Sequence, residues 1–385
     1  SITSFVYLYF IYDLYKLVKR KENISIGKLF SLIIVLYISY KINRYGEYGN
    51  DAPAHLMLFF VVSYFLYNSN TGYKSFYLLT LISTFIFANK VFLGLCFILP
   101  LYLLIKRKSF FLKIFISVPS IFFALWFIKN ILITGCLLYP IKNSCLKNLE
   151  WTDINRTEIV QVESEAWSKA WPENKNKNLS HKEFIKNFNW IDAWSDKHLK
   201  YILKVVGPYI FVLVMIFLYM GFSSKNKKGE RLNINNYKKK KILYFFSSIG
   251  LILFFLKFPI YRYGYSYIII FLFLIFLSLF KSLDKNKIIK CSKFVIIFSI
   301  ITMSGKQITR ISENYNKRNF FPDHVFINSS NFDRKYDKRY LSENFSLYYS
   351  SEECFYGLAP CTNYRTDFEK IKYNTKYKYI ILYKD

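Results

Sequence analysis

The apolar residues of this chain lack the alternation with a period of two or 3.6 residues that soluble strands and helices show. Hydrophobic residues make up 53% of the 385 residues, and they come in blocks of about 14 to 22 residues. A block such as 201–222 is apolar on every side, which excludes a soluble domain with a single buried face. The sequence therefore predicts a polytopic membrane protein.

Acidic residues are scarce, with 25 Asp and Glu against 54 Lys and Arg, so the formal net charge is +29. A surplus of this size can indicate nucleic-acid binding. Here it accompanies a general abundance of Lys, Asn, Ile, Phe and Tyr, which an AT-rich coding sequence produces by itself. We therefore expect no nucleic-acid partner, and the positions of the charges carry more information than their total.

The first apolar block lacks the charged segment and the small-residue cleavage site that a signal peptide would show. The chain begins at Ser1, directly in hydrophobic sequence. We expect further sequence, including functional residues, upstream of it.

The apolar blocks predict ten membrane-spanning helices, at residues 1–18, 28–42, 56–67, 75–89, 91–105, 109–128, 201–222, 242–257, 264–280 and 293–309. Short loops rich in Lys and Arg stay on the cytoplasmic side of a membrane. With ten spans, the four basic clusters fall on one face; they lie at residues 19–21, 106–108, 225–241 and 281–293. The predicted fold is thus an all-α polytopic membrane protein.

Residues 75–105 could form one long helix or a hairpin of two short helices that turns at Ala88–Lys90. A single helix would place residues 106–108 on the opposite face from the other basic clusters. The hairpin is therefore predicted, although each arm is shorter than the ~20 residues of a full span.

The face opposite the basic clusters receives the polar segments. The predicted domains are a bundle of six spans (1–128), a Trp-rich extracytoplasmic loop domain (129–200), a bundle of four spans (201–309) and a small mixed α/β extracytoplasmic region (310–385). The loop holds five of the six tryptophans, which suit short amphipathic helices on the outer leaflet or a sugar-stacking platform. The C-terminal stretch KYIILYKD predicts a strand.

The cysteines form two close pairs on the predicted outer face, Cys136 with Cys145 and Cys354 with Cys361. Such pairs suit disulfides in an oxidising compartment. A zinc site is less favoured, because neither pair has C-x2-C spacing and no pair of histidines accompanies them.

The loop before the third span places Glu47, Asp51 and His55 at four-residue spacing. Asp51 precedes Ala52-Pro53 and an apolar run, the pattern of a helix start, so capping alone could explain it. His55 lies one turn into that helix, either as a polar anchor or as a partner of Asp51 in proton transfer or cation binding. Glu47 has no structural explanation.

Three cations are predicted on the same face: Lys90 at the hairpin tip, Lys129 at the end of the sixth span, and Arg262 in a short turn between Tyr261 and Tyr263. Each can be explained singly as an anchor at the membrane surface. Together they predict a ring that binds an anionic lipid headgroup, because guanidinium and ammonium donors match phosphate oxygens.

Short segments of the chain resemble a known class of enzymes. The stretch WFIKNILITGCLLYP (126–140) resembles the segment [RK]-N-x4-G-x3-Y-P found where a helix leaves the membrane in multi-spanning glycosyltransferases of the GT-C class. FANKVFLGL resembles their helix-end lysine segment, and YRYG resembles their Arg-Tyr pair. The combination of YGEYGNDAPAHL, GCLLYPIKNSCLKNLEW and CFYGLAPCTNY is similar to an uncharacterised family of bacterial membrane proteins related to that class.

The resemblance implies an enzyme of envelope polysaccharide biosynthesis in the bacterial inner (cytoplasmic) membrane, with its large loops and C-terminus extracytoplasmic. It would transfer a sugar from a polyprenyl-phosphate donor to a saccharide or lipid acceptor. Lys90, Lys129, Arg262 and Tyr263 would contact the lipid phosphate, and an outward acidic residue would act as the base. The key aspartate of the class usually lies in the first outward loop, for which this chain offers only GEYGND, with Glu47 and Asp51. No cofactor is implied, although a divalent cation is compatible with the pattern.

Two other functions remain open from the sequence. A transporter or flippase of lipid-linked saccharide would need polar or broken helices at mid-membrane and often an inverted repeat. The chain has no internal repeat, and Asp13 is the one carboxylate inside a predicted span. A non-catalytic envelope assembly protein would suit the large outward regions, but it gives no reason for Lys90 at a hairpin tip.

Overall fold

The computed structural model is predominantly helical, with a few short strands. It describes residues 2–20, 24–41, 51–67, 72–115, 117–175, 179–221, 231–233, 238–280, 282–315, 336–342, 345–351, 360–362, 369, 371–374 and 379–382. The all-α character predicted for the membrane part is thereby confirmed, together with a small amount of sheet.

The longer helices follow the apolar blocks of the sequence. The first half contains α1 (Ile2–Arg20), α2 (Ile26–Lys41), α3 (Asp51–Tyr67), α4 (Tyr73–Asn89), a 3₁₀ segment (Val91–Phe97), α5 (Ile98–Lys106), α6 (Phe110–Phe115) and α7 (Val118–Thr134). The second half contains α11 (Lys200–Gly221), α12 (Lys238–Lys257), α13 (Tyr261–Leu279) and α14 (Lys285–Tyr315). Each of the ten predicted blocks therefore falls on helical structure.

Three described helices are long and apolar enough to cross a membrane: Ile191–Gly221, Tyr261–Leu279 and Lys285–Thr309. Shorter apolar helices lie at Asp51–Tyr67, Val91–Lys106 and Val118–Thr134. The helices are thus consistent with a membrane protein, and the number of ten spans stays a prediction.

The chain breaks its helix at Lys90, as predicted for the hairpin. Helix α4 ends at Asn89, and Lys90 is extended, with φ −150° and ψ 94°. Residues Val91–Phe97 then return as a 3₁₀ segment that packs back on α4. Gly94 lies directly against the ring of Phe87, where a Cβ atom would come within 2.8 Å of ring carbon Cδ2. The missing side chain lets the two arms approach closely.

Contacts divide the chain into two units. The first comprises residues 1–127 and 160–307, and the second comprises residues 128–159 and 308–385. The loop predicted as one domain over 129–200 is thus shared between the two units. The four-part domain division of the sequence stays a prediction.

Helix α2 is the centre of the first unit. Every residue from Ile26 to Ser39 is buried, so this helix has no solvent-facing stripe. It packs against α1, α3 and α11, and α3 in turn packs against α4 and α13. A helix that is apolar all round needs neighbours on every side, which is what this arrangement provides.

The basic clusters of the first unit lie together. Strand β1 (Arg231–Asn233) pairs antiparallel with β2 (Ser282–Asp284), which joins the loop before α12 to the loop after α13. The ammonium of Lys239 donates to the carbonyl of Phe65 at 2.5 Å, and its charge is close enough to that of Lys106 for the two to repel. Three of the four clusters predicted to share one face therefore share one end of the unit.

The loop after residue 160 forms a small core of its own in the first unit. It contains the part of α8 (Ile154–Ser168) from residue 160 onward, a 3₁₀ turn (Trp171–Glu173), α9 (His181–Ile185), α10 (Ile191–Trp194) and a π-helical turn (Ser195–Leu199). Trp190 and Trp194 are buried and pack on Phe255 of α12, with ring centroids 5.3 and 5.4 Å away. Trp167 is 59% exposed. Two of the five loop tryptophans thus build a protein core, a role that the sequence interpretation did not consider.

The second unit contains the predicted disulfide of Cys136 with Cys145, which is confirmed. A further 3₁₀ turn (Lys142–Ser144) lies between these cysteines, and the indole of Trp151 donates to the carbonyl of Ile131. Cys361 is also disulfide-bonded, while Cys354, its predicted partner, lies outside the described residues.

The other strands that the structure describes lie in the second unit. Strand β3 (Asp337–Ser342) pairs antiparallel with β4 (Phe345–Tyr349), which pairs parallel with β5 (Cys361–Thr362). Strand β6 (Ile371–Asn374) pairs antiparallel with β7 (Tyr379–Leu382). The predicted C-terminal strand is therefore confirmed.

Close packing of α12 on α13 gives a first prediction. A Cβ atom at Gly250 would lie 2.3 Å from the ring of Tyr267, whereas nothing lies within 4 Å of such an atom at Gly207 of α11. We expect Gly250→Ala to lower the free energy of unfolding by about 1–3 kcal/mol through overpacking. Gly207→Ala should leave it unchanged or raise it by up to about 1 kcal/mol. Denaturant unfolding in micelles, followed by fluorescence, measures both; equal effects would contradict the predicted packing.

The buried tryptophan gives a second prediction. The indole of Trp194 donates to the carbonyl of Pro259 at 2.7 Å, and Phe at this position keeps most of the ring contact but loses the donor. Trp194→Phe should destabilise the protein by about 1 kcal/mol and speed proteolytic cleavage between residues 160 and 199. The exposed Trp167→Phe is the matched control, for which neither quantity should change. A cleavage rate in Trp194→Phe equal to that of the control would rule out this anchoring role.

Candidate functional site

The polar residues predicted before α3, at the hairpin tip and before α13 meet at one place in the first unit. Asp51 lies in the first turn of α3, Lys90 occupies the break between α4 and the 3₁₀ segment, and Arg262 lies in the first turn of α13. Three separate stretches of sequence thus contribute side chains to one cluster, which we call the Asp51–Lys90–Arg262 cluster.

Lys90 is the centre of this cluster and is only 6% exposed. Its Nζ atom donates to Oδ1 of Asp51 at 2.5 Å and to the main-chain carbonyl of Arg262 at 2.9 Å. It also lies 4.2 Å from the ring centroid of Tyr263. Burial lowers the pKa of Lys90, and the Asp51 carboxylate opposes this shift. The buried charge is therefore stabilised by one carboxylate, one carbonyl and one aromatic face.

His55 is fully buried and uses both ring nitrogens. Nε2 lies 2.9 Å from the carbonyl oxygen of Arg262, and Nδ1 lies 2.7 Å from the hydroxyl of Ser266. Because a carbonyl can only accept, Nε2 carries the proton, and the hydroxyl of Ser266 donates to Nδ1. The ring stacks on Tyr265 with centroids 3.9 Å apart. His55, predicted among the catalytic residues, is thus buried and links α3 to α13; its catalytic role stays a prediction.

Asp51 and Arg262 are the accessible members of the cluster. The side chain of Asp51 is 45% exposed, and among the described residues it is engaged through Oδ1 alone, which leaves Oδ2 available. The guanidinium of Arg262 is exposed and lies over the ring of Tyr263, with Nη2 3.4 Å from the phenol oxygen. An available carboxylate oxygen and an available guanidinium therefore flank the buried ammonium.

A layer of aromatic rings packs beside the cluster. Tyr261 stacks on Tyr265, Tyr265 stacks on Tyr37 of α2, and the hydroxyls of Tyr37 and Tyr261 are 2.9 Å apart. These contacts link the first turn of α13 to the central helix α2. Sequence reasoning missed this layer, although the Tyr-rich run YRYGYSY was its visible signal.

A second buried ion cluster holds the turn that leads into α13. Glu165 accepts from Lys169 at 2.7 Å and from Lys257 at 3.1 Å, and its side chain is 10% exposed. Ser168 donates to the carbonyl of Lys257, the last residue of α12. Burial lowers the pKa of Lys169, and the Glu165 carboxylate opposes the shift. The loop thereby fixes the chain just before Arg262. No motif in the sequence pointed to this pairing.

The other predicted site residues are placed differently. Glu47 lies outside the described residues. Lys129 lies on α7, within the second unit, and is exposed. Within the described ranges, no group of three or more His, Cys, Asp or Glu side chains is arranged to hold a metal ion. The predicted ring of three cations therefore stays a prediction, with Lys90, Arg262 and Tyr263 brought together.

The ion pair of Lys90 with Asp51 gives a third prediction. Asp51→Asn leaves a buried ammonium without its carboxylate, and we expect a loss of about 1–3 kcal/mol in the free energy of unfolding. Lys90→Met combined with Asp51→Asn should cost less than the sum of the two single changes, which denaturant unfolding of all three variants measures.

The matched control is Asp196→Asn, because Asp196 pairs with Lys200 at the surface, where both side chains are at least half exposed. That change should cost no more than about 0.5 kcal/mol. Strict additivity at positions 51 and 90 would show that the pair is not coupled.

Comparison with known proteins places the chain in one family. No curated protein and no solved structure matches it. A family model described as "Domain of unknown function (DUF8201)" matches residues 1–269. This match covers α1 to α12 and the first part of α13, including all three members of the Asp51–Lys90–Arg262 cluster. The chain therefore belongs to the DUF8201 family.

Proposed function

We propose that the protein is a membrane glycosyltransferase of the bacterial cell envelope, related to the GT-C class. It transfers a sugar from a polyprenyl-phosphate-linked donor to an acceptor at the extracytoplasmic face. The observation that carries this proposal is the Asp51–Lys90–Arg262 cluster: the half-exposed Asp51 carboxylate binds the Lys90 ammonium, and this ammonium and the exposed Arg262 guanidinium both lie over the ring of Tyr263. Direct displacement of a phosphate by a hydroxyl needs this pair of groups: a base and a stabiliser of the leaving group.

The reaction divides the roles between the two accessible side chains. Oδ2 of Asp51 takes the proton of the acceptor hydroxyl as its oxygen forms a bond to the anomeric carbon of the sugar. The bond between that carbon and the phosphate oxygen breaks with inversion, and the electron pair leaves on the phosphate. Arg262 stabilises the departing negative charge, since a guanidinium matches phosphate oxygens. Glu47 is the alternative base in the same predicted loop.

We infer for Lys90 a role other than the phosphate contact that the resemblance implies. Its ammonium is already held by Asp51, the Arg262 carbonyl and the Tyr263 ring. A side chain enclosed in this way orients Asp51 and Arg262 rather than contacting the lipid phosphate. The phosphate contact therefore falls to Arg262, with Tyr263 beside it, and the phosphate contact predicted for Lys129 stays a prediction.

The membrane arrangement completes the proposal. The ten helical blocks cross the inner membrane, the basic end around Lys106, Lys239 and β1–β2 faces the cytoplasm, and the cluster faces outward. The positive-inside rule supports this orientation, since three basic clusters share one end of the first unit. The outward cluster then meets a donor whose phosphate lies at the membrane surface.

The test is sugar transfer by the purified protein in lipid nanodiscs. Undecaprenyl-phosphate donors with different radiolabelled sugars are incubated with envelope extract as the source of acceptor. Removal of a single charge-stabilising donor typically costs 10²–10³ in rate, so we expect Arg262→Ala to lower transfer about 100-fold or more. Arg262→Lys should retain part of the activity, and Asp51→Asn should lose about 10²–10⁴-fold.

The matched control is Lys16→Gln on α1, which removes a cation at the other end of α1–α3 and should leave transfer unchanged. Absence of transfer from every donor would contradict the proposal. Full activity in Arg262→Ala, with the protein folded, would refute the assigned role of that residue.

A further inference from the structure

An apolar groove of about 440 Å³ runs along the first unit between α2, α11 and α14. Aliphatic and aromatic side chains line nearly all of it, with Tyr40 near one end and Cys291 near the other. Phe211, Met215 and Phe294 in its walls are more than half exposed. Two of its three helices, α11 and α14, are long and apolar enough to cross a membrane. In a membrane, the groove would therefore open toward the lipid around these two helices.

Two lysines lie at the Tyr40 end of this groove. Lys306 of α14 donates to the carbonyls of Ser39 and Tyr40, both at 2.7 Å. Lys41 follows directly on α2, donates to the hydroxyl of Tyr201, and lies over the ring of Tyr261. The two ammonium groups are near enough to repel each other. Two positive charges are thus held together at the mouth of an apolar channel.

No carboxylate among the described residues pairs with Lys41 or Lys306. Their partners in the described part of the chain are carbonyls, a phenol hydroxyl and aromatic rings, none of which carries a negative charge. Like charges at this separation cost free energy unless an anion lies between them. A phosphate group satisfies both the charge and the remaining ammonium donors.

We propose that this groove binds an anionic phospholipid, with its phosphate at Lys41 and Lys306 and one acyl chain along α11 and α14. A basic pocket between membrane helices with an apolar channel beneath it matches the two parts of such a lipid. The lipid is distinct from the sugar donor, because the groove is formed by α2, α11 and α14, whereas the Asp51–Lys90–Arg262 cluster is formed by α3, the Lys90 break and α13. The inference rests on the proposed membrane location and is independent of glycosyl transfer.

The bound phosphate would lie close to the first turn of α13. Lys41 contacts Tyr261, and Tyr261 stacks on Tyr265, which stacks on His55. The lipid therefore steadies the same aromatic layer that supports the cluster. We expect the lipid to stay bound to the protein and to raise its thermal stability.

The experiment is native mass spectrometry of the delipidated full chain, mixed with one lipid at a time in an uncharged detergent. Phosphatidylglycerol should bind and phosphatidylcholine should bind at least tenfold more weakly. Lys41→Gln with Lys306→Gln should lower phosphatidylglycerol occupancy at least tenfold, and the arginine pair at these positions should retain it. Lys16→Gln with Lys19→Gln on α1 is the matched charge control and should bind normally.

A second variant tests the groove without touching the lysines. Val212→Trp fills the channel between α11 and α14 and should also abolish the bound lipid. Equal binding of phosphatidylcholine, or unchanged binding in both the glutamine pair and Val212→Trp, would overturn the proposal. Displacement of phosphatidylglycerol by equimolar undecaprenyl phosphate would overturn it as well and would assign the groove to the sugar carrier. Sugar transfer is measured separately, so failure of either proposal is recognisable.

Discussion

The main-chain carbonyl of Arg262 is the group on which the organisation of the Asp51–Lys90–Arg262 cluster depends. It accepts from the ammonium of Lys90 and from the imidazole of His55, and both donors are buried. These two bonds tie the start of α13 to α3 and to the break after α4. Buried donors without acceptors are costly, so the three segments must meet in this register. The exposed side chain of Arg262 then takes its position from its fixed backbone and from the Tyr263 ring that lies under its guanidinium.

The same constraint explains why Lys90 breaks the helix. A lysine that continued α4 would direct its side chain along the helix surface, whereas an extended residue can direct it toward Asp51 and Arg262. The 3₁₀ segment that follows lets the chain reverse beside α4 with little space between the arms. The chain thus leaves helical geometry at this residue, and this lets Lys90 form its ion pair with Asp51.

Much of the helical architecture was predictable, because apolar blocks and basic clusters are properties of contiguous sequence. The break at Lys90 followed from charge parity, the start of α3 from Asp51-Ala-Pro, and the Cys136–Cys145 bridge from spacing. For the site, the sequence predicted which residues take part but not how they contact one another. Which nitrogen of His55 donates, and that Lys90 is enclosed by Asp51, depend on contacts between residues 39 to 211 positions apart. The pairing of Glu165 with Lys257 joins segments 92 positions apart and leaves no local signal.

The short ribbon of β1 and β2 has a mechanical consequence for the helices that it connects. It closes the α12–α13 hairpin at its open end, and Ser168 and Trp194 hold the turn at the other end. A hairpin fastened at both ends cannot shift one helix along the other by a turn. A main-chain movement at Arg262 that keeps both fastenings is therefore a tilt of the whole hairpin, together with the loop packed on its tip.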